Sequence, residues 1–343
     1  MKKLKTICSY LCVAVLAFLV ALLLILLVGS DVSKAFSGFF RGIFGSTYAI
    51  SEVLVKATPL TLCGLGIAVG FRSGFINLGA EGQLYMGAIA ATGVALALPG
   101  LPAVIMLPLV LAAGFLLGGI WSVIPGFLKA RFKISEVIVT IMFNYIAINI
   151  VGILVRTALK DPNYPYPMSP ELPAAAILPT LLPPNRVHAG IFIALLCAAA
   201  VYILVWRTTT GYQMRAVGLN ARASHCAGIS VYRSIVFSSL ISGGLAGIAG
   251  VCEVTGLQHK LLEGLSPEYG YIAIIVALLG GNKPLGVIVA ALGIAALQVG
   301  SLSMQRAAGV PTAISLIIMG CIVLLILARP TLFRRFLAEE KER

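Results

Sequence analysis

Residues 70–87, with the sequence GFRSGFINLGAEGQLYMG, interrupt a long apolar region with polar side chains and five glycines. Apolar segments lie on both sides, which places these residues at or near the depth of a lipid bilayer. At that depth, irregular polar backbone is tolerated only where protein surrounds it or where it lines a watery path. The side chains of Asn77, Glu81 and Gln83 therefore predict a polar path through a membrane protein, which is typical of a transporter.

The composition assigns the chain to the membrane proteins. Of its 343 residues, 59% are hydrophobic and 11% are charged, whereas soluble domains contain about 25% charged residues. The formal charge of +13 falls on short segments between apolar runs and forms no basic patch, so nucleic-acid binding is excluded. The seven cysteines are scattered without a CxxC pair, so neither a disulfide framework nor a metal site is indicated. No cofactor is expected on this chain.

Ten apolar segments are predicted to be transmembrane helices, which makes the fold all-α and polytopic. They cover about residues 7–28, 49–69, 83–99, 102–124, 137–155, 189–206, 234–254, 268–281, 285–303 and 312–328. The first is predicted to be a retained span rather than a cleaved signal peptide. The eighth is short and is predicted to be tilted or broken. Together they predict a single transmembrane domain over residues 1–343.

The basic residues predict the orientation of the chain. Most of the 25 Lys and Arg residues lie on one side of the membrane if the N-terminus is cytoplasmic, so both termini are predicted to be cytoplasmic. The stretch 157–188 then lies outside, and eight of the chain's 17 prolines make it extended and stiff. It is either inert surface or a platform for an extracytoplasmic partner.

The segment 207–233 then lies inside. It contains two helix-compatible pieces, 212–217 and 221–227, separated by Gly218, Leu219 and Asn220. Orientation alone needs only a few charges, so this patterned segment predicts a contact with another protein.

Two further predicted spans carry polar or small residues at helical spacing. In the fifth, Thr140 and Asn144 share one face, and Asn144 either hydrogen-bonds a solute or joins neighbouring helices. In the seventh, Ser239, Gly243 and Gly247 recur every four residues, which predicts close helix packing.

Some catalytic motifs are missing from the sequence. It contains no G-x-x-x-x-G-K-[ST] loop, so the chain does not hold ATP by that device. It also contains no HExxH or GxSxG motif, so a hydrolase has no nucleophile or metal site to use. A transport subunit is predicted rather than an enzyme.

Three stretches carry a family resemblance: GFINLGAEGQLYMG at 74–87, SEVIVTIMFNY at 135–145 and GYQMRAVGLNARASHCAGI at 211–229. Over residues 53–330 the chain resembles the permease subunits of bacterial ABC importers in the branched-chain amino acid, ribose and nucleoside superfamily. It is most similar to the nucleoside branch, whose solute receptor is a lipoprotein of the basic-membrane-protein type. The resemblance implies the type II importer fold in the bacterial cell membrane.

The resemblance also implies partners and a coupling site. Two permeases, usually non-identical in nucleoside systems, work with two separate ATPases that use the ATP. The segment 207–233 would dock into the ATPase through residues at the centre of the RAVGLN motif, namely Arg215, Ala216, Val217, Gly218 and Asn220. Leu219 departs from the family pattern, in which an acidic residue is common.

The predicted function is therefore ATP-driven import of a small polar solute, most simply a nucleoside. Asn77, Glu81, Gln83 and Asn144 would line the path. Ribose-like sugars and branched-chain amino acids are alternative solutes. An ion-coupled secondary transporter, using Glu52, Glu81 or Glu253, is a second class of mechanism.

Overall fold

The computed structural model describes residues 2–27 and 29–332, and this part of the chain is helical without a β-strand. Each predicted span lies on a helix, so the all-helical membrane fold is confirmed. Met1, Val28 and residues 333–343, including the predicted cytoplasmic C-terminus, lie outside the described residues. The helices are α1 (Lys2–Leu27), α2 (Val32–Phe44), α3 (Thr47–Arg72), α4 (Ala80–Ala97), α5 (Ala103–Phe132), α6 (Glu136–Arg156), α7 (Gly190–Arg207), α8 (Thr209–Leu219), α9 (Ala221–Cys226), α10 (Val231–Glu253), α11 (Tyr269–Leu279), α12 (Pro284–Ala308) and α13 (Thr312–Leu332).

Within the part of the chain that the structure describes, six helices are long and apolar enough to cross a membrane by length and composition: α3, α5, α6, α7, α10 with its extension to Gln258, and α12. A helix of 26 residues such as α3 is about 39 Å long, which exceeds the ~30 Å hydrocarbon core. By the same rise, the 11 residues of α11 cover only about 16 Å. The eighth predicted span is therefore short on this helix as well, and its tilt or break stays a prediction.

The helix α2 was not predicted from the sequence. Asp31 begins it as the N-cap, because its carboxylate accepts a hydrogen bond from the backbone N–H of Lys34 at 3.0 Å. That bond holds the pKa of the Asp31 carboxyl below its usual value. The hydropathy pattern gave no sign of α2, because it has only 13 residues and mixes basic residues with phenylalanines.

The described residues fall into two compact units, one of which consists of Leu54–Leu292. In this unit α10 packs most extensively against α5, and α4 packs against both. The three helices touch through glycine: a Cβ on Gly87 of α4 would lie 2.2 Å from the carbonyl oxygen of Gly247 on α10. A Cβ on Gly247 would in turn lie 2.1 Å from the carbonyl oxygen of Gly114 on α5. The close packing predicted for the seventh span is confirmed.

The other unit consists of the described residues before Leu54 and after Leu292. Here α1 packs along α13. A cluster of buried apolar side chains fills this unit and includes Ile25, Ala35, Met304 and Val310.

The proline-rich stretch 157–188 is irregular apart from a short 3-10 turn over Ala174–Ala176. It is held to the segment that follows α10 by backbone hydrogen bonds, including Leu178 N–H to the Thr255 carbonyl at 2.9 Å and Leu172 N–H to the His259 carbonyl at 3.0 Å. Burial lowers the pKa of His188, at the end of the stretch, to about 4. Its imidazole is therefore neutral near pH 7, and Nδ1 accepts a hydrogen bond from the Gly190 N–H at 3.2 Å.

Candidate functional site

The predicted polar path residues lie where α3 ends and the chain turns into α4. The turn begins at Gly74, whose φ of +78° favours glycine, and it runs to Gly79, which precedes α4. We call residues 73–79 the α3–α4 loop. Its start is fixed by two bonds to the Gly70 carbonyl, from the Ser73 hydroxyl at 2.8 Å and from the Phe75 N–H at 2.9 Å.

Asn77 is the centre of a buried hydrogen-bond network. Its Nδ2 donates to Gln83 Oε1 at 2.8 Å and to Ser242 Oγ on α10 at 2.8 Å. Its Oδ1 accepts from Gln83 Nε2 at 3.0 Å and from the Gly79 N–H at 2.9 Å. The two amide side chains therefore pair reciprocally, and Asn77 fastens the α3–α4 loop to both α4 and α10.

Asn144 on α6 joins three elements. Its Oδ1 accepts from the Gly82 N–H at 2.8 Å, while its Nδ2 donates to the Leu78 carbonyl at 2.9 Å and to the Tyr271 hydroxyl of α11 at 3.1 Å. The Gly82 N–H belongs to the first turn of α4, where backbone donors have no partner within the helix. Asn144 thus satisfies one of those donors from a neighbouring helix.

Glu81 connects α4 to the start of α11. Its Oε2 accepts a hydrogen bond from the Gly270 N–H at 2.7 Å. The contact is close because a Cβ on Gly270 would lie 2.2 Å from the backbone nitrogen of Glu81. The carboxylate therefore bonds an otherwise unpaired N–H at the start of α11, where the partial positive charge of a helix end favours an anion.

The four predicted path residues are thus brought together in one region, which we call the polar junction: Asn77, Glu81, Gln83 and Asn144. Each side chain is at most 2% exposed and is bonded to groups of the same chain. In this conformation the polar junction holds four helices and a loop together. Its role as the solute path stays a prediction.

Replacing Asn77 by alanine should destabilise the protein more than replacing Gln83. It leaves the Gln83 amide, the Ser242 hydroxyl and the Gly79 N–H without a partner, at about 1–3 kcal/mol for each buried group. The double variant should lose less stability than the sum of the two single variants, because the residues share one network. Thermal unfolding of the purified protein in detergent measures both effects.

Asn149→Ala is the matched control for this pair. The Asn149 side chain is exposed and bonds only the Tyr145 carbonyl of its own helix, at 2.8 Å, so a small effect is expected. A strictly additive double variant would show that Asn77 and Gln83 act independently.

The predicted helix pair in 207–233 is confirmed as α8 and α9, with one correction to its boundary. Gly218 and Leu219 belong to α8, so Asn220 alone separates the two helices. Asn220 has an extended conformation and accepts the Ala223 N–H at 3.0 Å, which makes it the N-cap of α9.

Two of the predicted coupling residues contact the α3–α4 loop. Val217 is buried in an apolar cluster with Phe75 of that loop and with Ile235 of α10. A Cβ on Gly218 would lie 2.1 Å from the Arg72 carbonyl oxygen and 3.1 Å from the Gly74 nitrogen. Arg215 and Ala216 are partly exposed. The arrangement places α8 directly against the loop that carries Asn77.

The base of the α3–α4 loop is held by charged side chains. Arg72 donates to the carbonyls of Gly281 and Asn282, each at 3.2 Å, and its guanidinium lies 5.3 Å from the centre of the Trp206 ring. Lys129 of α5 bonds both the Gly74 carbonyl and Glu136 of α6. Glu136 also accepts the Ile76 N–H, at 3.2 Å. The loop is therefore fixed from several helices.

Two large side chains on α8 point away from the chain. Tyr212 is 61% exposed and Leu219 is 88% exposed. No group of three or more His, Cys, Asp or Glu side chains within the described residues could hold a metal ion. The site is thus built from amide, carboxylate and backbone groups, with an exposed helix beside it.

Comparison with known proteins identifies the family. The family described as branched-chain amino acid transport system / permease component matches residues 49–327. The chain belongs to this permease family. The permease is 39% identical to the guanosine ABC transporter permease protein NupP of Bacillus subtilis, over 93% of each chain.

Two other relatives extend the comparison. The permease is 35% identical to the glucose ABC transporter permease protein TsgB13 of Haloferax volcanii, over 89% of this chain and 83% of the relative. It is 32% identical to the nucleoside ABC transporter permease protein NupB of Lactococcus lactis, over 91% and 88% of the two chains. The permease is therefore a multi-pass membrane protein with a transport role.

The sequence did not identify the partners of the polar junction. Ser242 and Tyr271 of this permease bond Asn77 and Asn144, which are 165 and 127 residues away in the chain. Ser242 precedes a Gly-Gly pair in an apolar span and is not part of the four-residue spacing of Ser239, Gly243 and Gly247, so nothing local indicated a polar partner for it. Tyr271 gave no signal, since a tyrosine in an apolar segment is common at membrane interfaces.

Proposed function

We propose that this permease forms the membrane path of an ATP-driven importer for nucleosides. The observation that carries the proposal is the 39% identity to a guanosine permease over nearly the whole chain, with a nucleoside permease as a further relative. The similarity to a glucose permease favours sugars as the second candidate. Branched-chain amino acids, named in the family description, are the third.

The importer needs partners that supply energy and solute. This chain has no ATP-binding loop of the G-x-x-x-x-G-K-[ST] type, so separate ATPase subunits would hydrolyse the ATP. A second, non-identical permease would complete the path, and an extracytoplasmic lipoprotein would deliver the solute. The assembly would lie in the bacterial cell membrane with both termini of this chain cytoplasmic.

The helix α8 would receive the motion of the ATPase. Its exposed Tyr212 and Leu219 offer apolar surface to a partner, and the partly exposed Arg215 and Ala216 lie between them. Val217 and Gly218 contact the α3–α4 loop on the opposite side. A displacement of α8 would therefore move the loop and with it Asn77.

The polar junction would open during transport. In this conformation its side chains bond groups of the same chain. An exchange of these partners for solute hydroxyl and amide groups would let a nucleoside pass. Such a path binds weakly, because every bond to the solute replaces a bond within the protein. Weak binding suits a path that must release what it carries.

Uptake of labelled guanosine by cells that express the complete system tests this function. We expect orthovanadate to stop uptake and a protonophore to leave it intact while ATP stays high. Unlabelled guanosine should compete, whereas ribose, glucose and leucine should not. Competition by one of these instead would reassign the solute.

The variant Glu81→Gln separates the ATP-driven mechanism from ion coupling through Glu81. The amide oxygen can still accept the Gly270 N–H, so uptake should fall little in an ATP-driven importer. A carrier that couples proton movement through Glu81 would lose uptake, because an amide cannot bind and release a proton. Recovery of a P-loop ATPase, a second permease and a lipoprotein with the gently purified chain would support the proposed partners; repeated recovery of the chain alone would contradict them.

A further inference from the structure

The helix α2 has one face buried against its own unit. Ala35, Gly38 and Ile43 are buried, and a Cβ on Gly38 would lie 2.5 Å from Ala307 Cβ on α12. A Cβ on Gly42 would lie 2.3 Å from Ser303 Cβ on the same helix. This tight contact fixes the rotation of α2 about its own axis and determines which side chains point outward.

The outward side of α2 combines aromatic and basic side chains. Phe40 and Phe44 are four residues apart, share one face and are 55% and 72% exposed. Lys34 and Arg41 are seven residues apart, lie together on the adjoining stripe and are also exposed. The exposed surface is therefore an apolar strip bordered by two positive charges.

The position of α2 between two apolar helices favours a place for this strip at the edge of the hydrocarbon. It follows α1, whose last turns expose Leu23, Leu26 and Leu27, after a turn of a few residues. The apolar helix α3 starts soon after α2 ends. With 13 residues, α2 is about 20 Å long and too short to cross a bilayer itself.

The charges on α2 fit an anionic partner. Lys34 lies 3.6 Å from Asp31, but both side chains are well exposed, and such pairs contribute little. Arg41 forms no ion pair with any residue that the structure describes. Both cations are therefore available for phosphate groups.

We propose that α2 is an interfacial helix that binds anionic phospholipid. Phe40 and Phe44 lie at the boundary between headgroups and acyl chains, and Lys34 and Arg41 contact lipid phosphates. Long basic side chains reach the headgroup region while their apolar stems stay beside the aromatic strip. The helix thereby links α1 and α3 along the membrane surface.

Tryptophan fluorescence in lipid nanodiscs tests where this face lies. Phe44→Trp is compared with the parent chain, which contributes Trp121 and Trp206, in phosphatidylcholine brominated at different acyl positions. The added fluorescence should be quenched most by bromines near the headgroup. Tyr166→Trp, at an exposed aromatic in the 157–188 stretch, is the control and should not be quenched. The proposal is overturned if acrylamide but not brominated lipid quenches the fluorescence that Phe44→Trp adds, since water would then cover the face. It is also overturned if neither agent quenches this fluorescence, since another protein would then cover the face.

The charge requirement is tested with phosphatidylglycerol. In the Phe44→Trp chain, increasing the fraction of phosphatidylglycerol in the nanodisc should shift the added tryptophan emission to shorter wavelength. With both Lys34→Gln and Arg41→Gln, the phosphatidylglycerol fraction that produces the same emission shift should rise by about fivefold for each charge removed. Lys34→Arg with Arg41→Lys preserves the charges and should behave as the parent. An unchanged dependence in the Gln pair overturns the role of these cations.

Discussion

Gly218→Ala is expected to reduce solute uptake by roughly tenfold or more while the chain still inserts into the membrane. The new methyl group would lie 2.1 Å from the Arg72 carbonyl oxygen. A backbone oxygen cannot rotate out of the way as a side-chain atom can. The loop cannot retreat easily, because Arg72 is bonded to the Gly281 and Asn282 carbonyls. The helix α8 must therefore move away.

This displacement acts at the proposed contact with the ATPase. Forced overpacking costs about 1–3 kcal/mol, and every 1.4 kcal/mol corresponds to a factor of about ten. Because Gly218 is at the exposed end of α8, the strain should change coupling rather than folding. We expect ATP hydrolysis by the reconstituted complex to continue without matching uptake, which parallel measurements of both rates would detect.

Gly293→Ala is the control for this substitution. Gly293 is in α12, and a Cβ there would meet nothing within 4 Å, so alanine should be neutral or slightly favourable. Uptake and ATP hydrolysis of Gly218→Ala that match those of the control would disprove coupling through this contact. Comparison of membrane levels separates a coupling defect from loss of the protein.

The sequence predicted the helices far better than their contacts. Apolar runs long enough to span a bilayer can be recognised locally, since the hydrocarbon thickness sets their length. The 13-residue α2 escaped this criterion, because its Phe and Lys or Arg side chains average out in a hydropathy profile. Its signal was the spacing of Phe36, Phe40 and Phe44 at four-residue intervals, which indicates one helix face.

The hydrogen-bond partners of the polar junction could not be predicted from the sequence. The position of Asn77, Glu81, Gln83 and Asn144 in apolar sequence indicated that each needs a polar partner. Which partner each one has depends on how helices pack: Glu81 bonds a backbone group 189 residues away. Nothing local encodes such a pairing, so a solute was the simplest partner to predict, whereas the structure supplies partners from the chain itself.

Gly87→Ala is expected to lower the stability of the protein by about 3 kcal/mol, the upper end of the usual cost of overpacking. Its Cβ would lie 2.2–2.6 Å from the carbonyl oxygen, Cα and carbonyl carbon of Gly247, so α4 and α10 would have to separate. Both helices also pack against α5, and a shift of α10 moves Ser242 away from Asn77. Thermal unfolding in detergent should show a midpoint lower by roughly 4 °C.

The same helix provides the control. Gly93 is six residues further along α4, and a Cβ there would meet nothing within 4 Å. Gly93→Ala therefore makes an identical chemical change without a steric contact, and helix propensity predicts a gain of up to ~1 kcal/mol. If the two variants unfold at the same temperature, the glycine contact between α4 and α10 does not limit stability. If only Gly87→Ala is destabilised, backbone contact between α4 and α10 contributes to the stability of the protein.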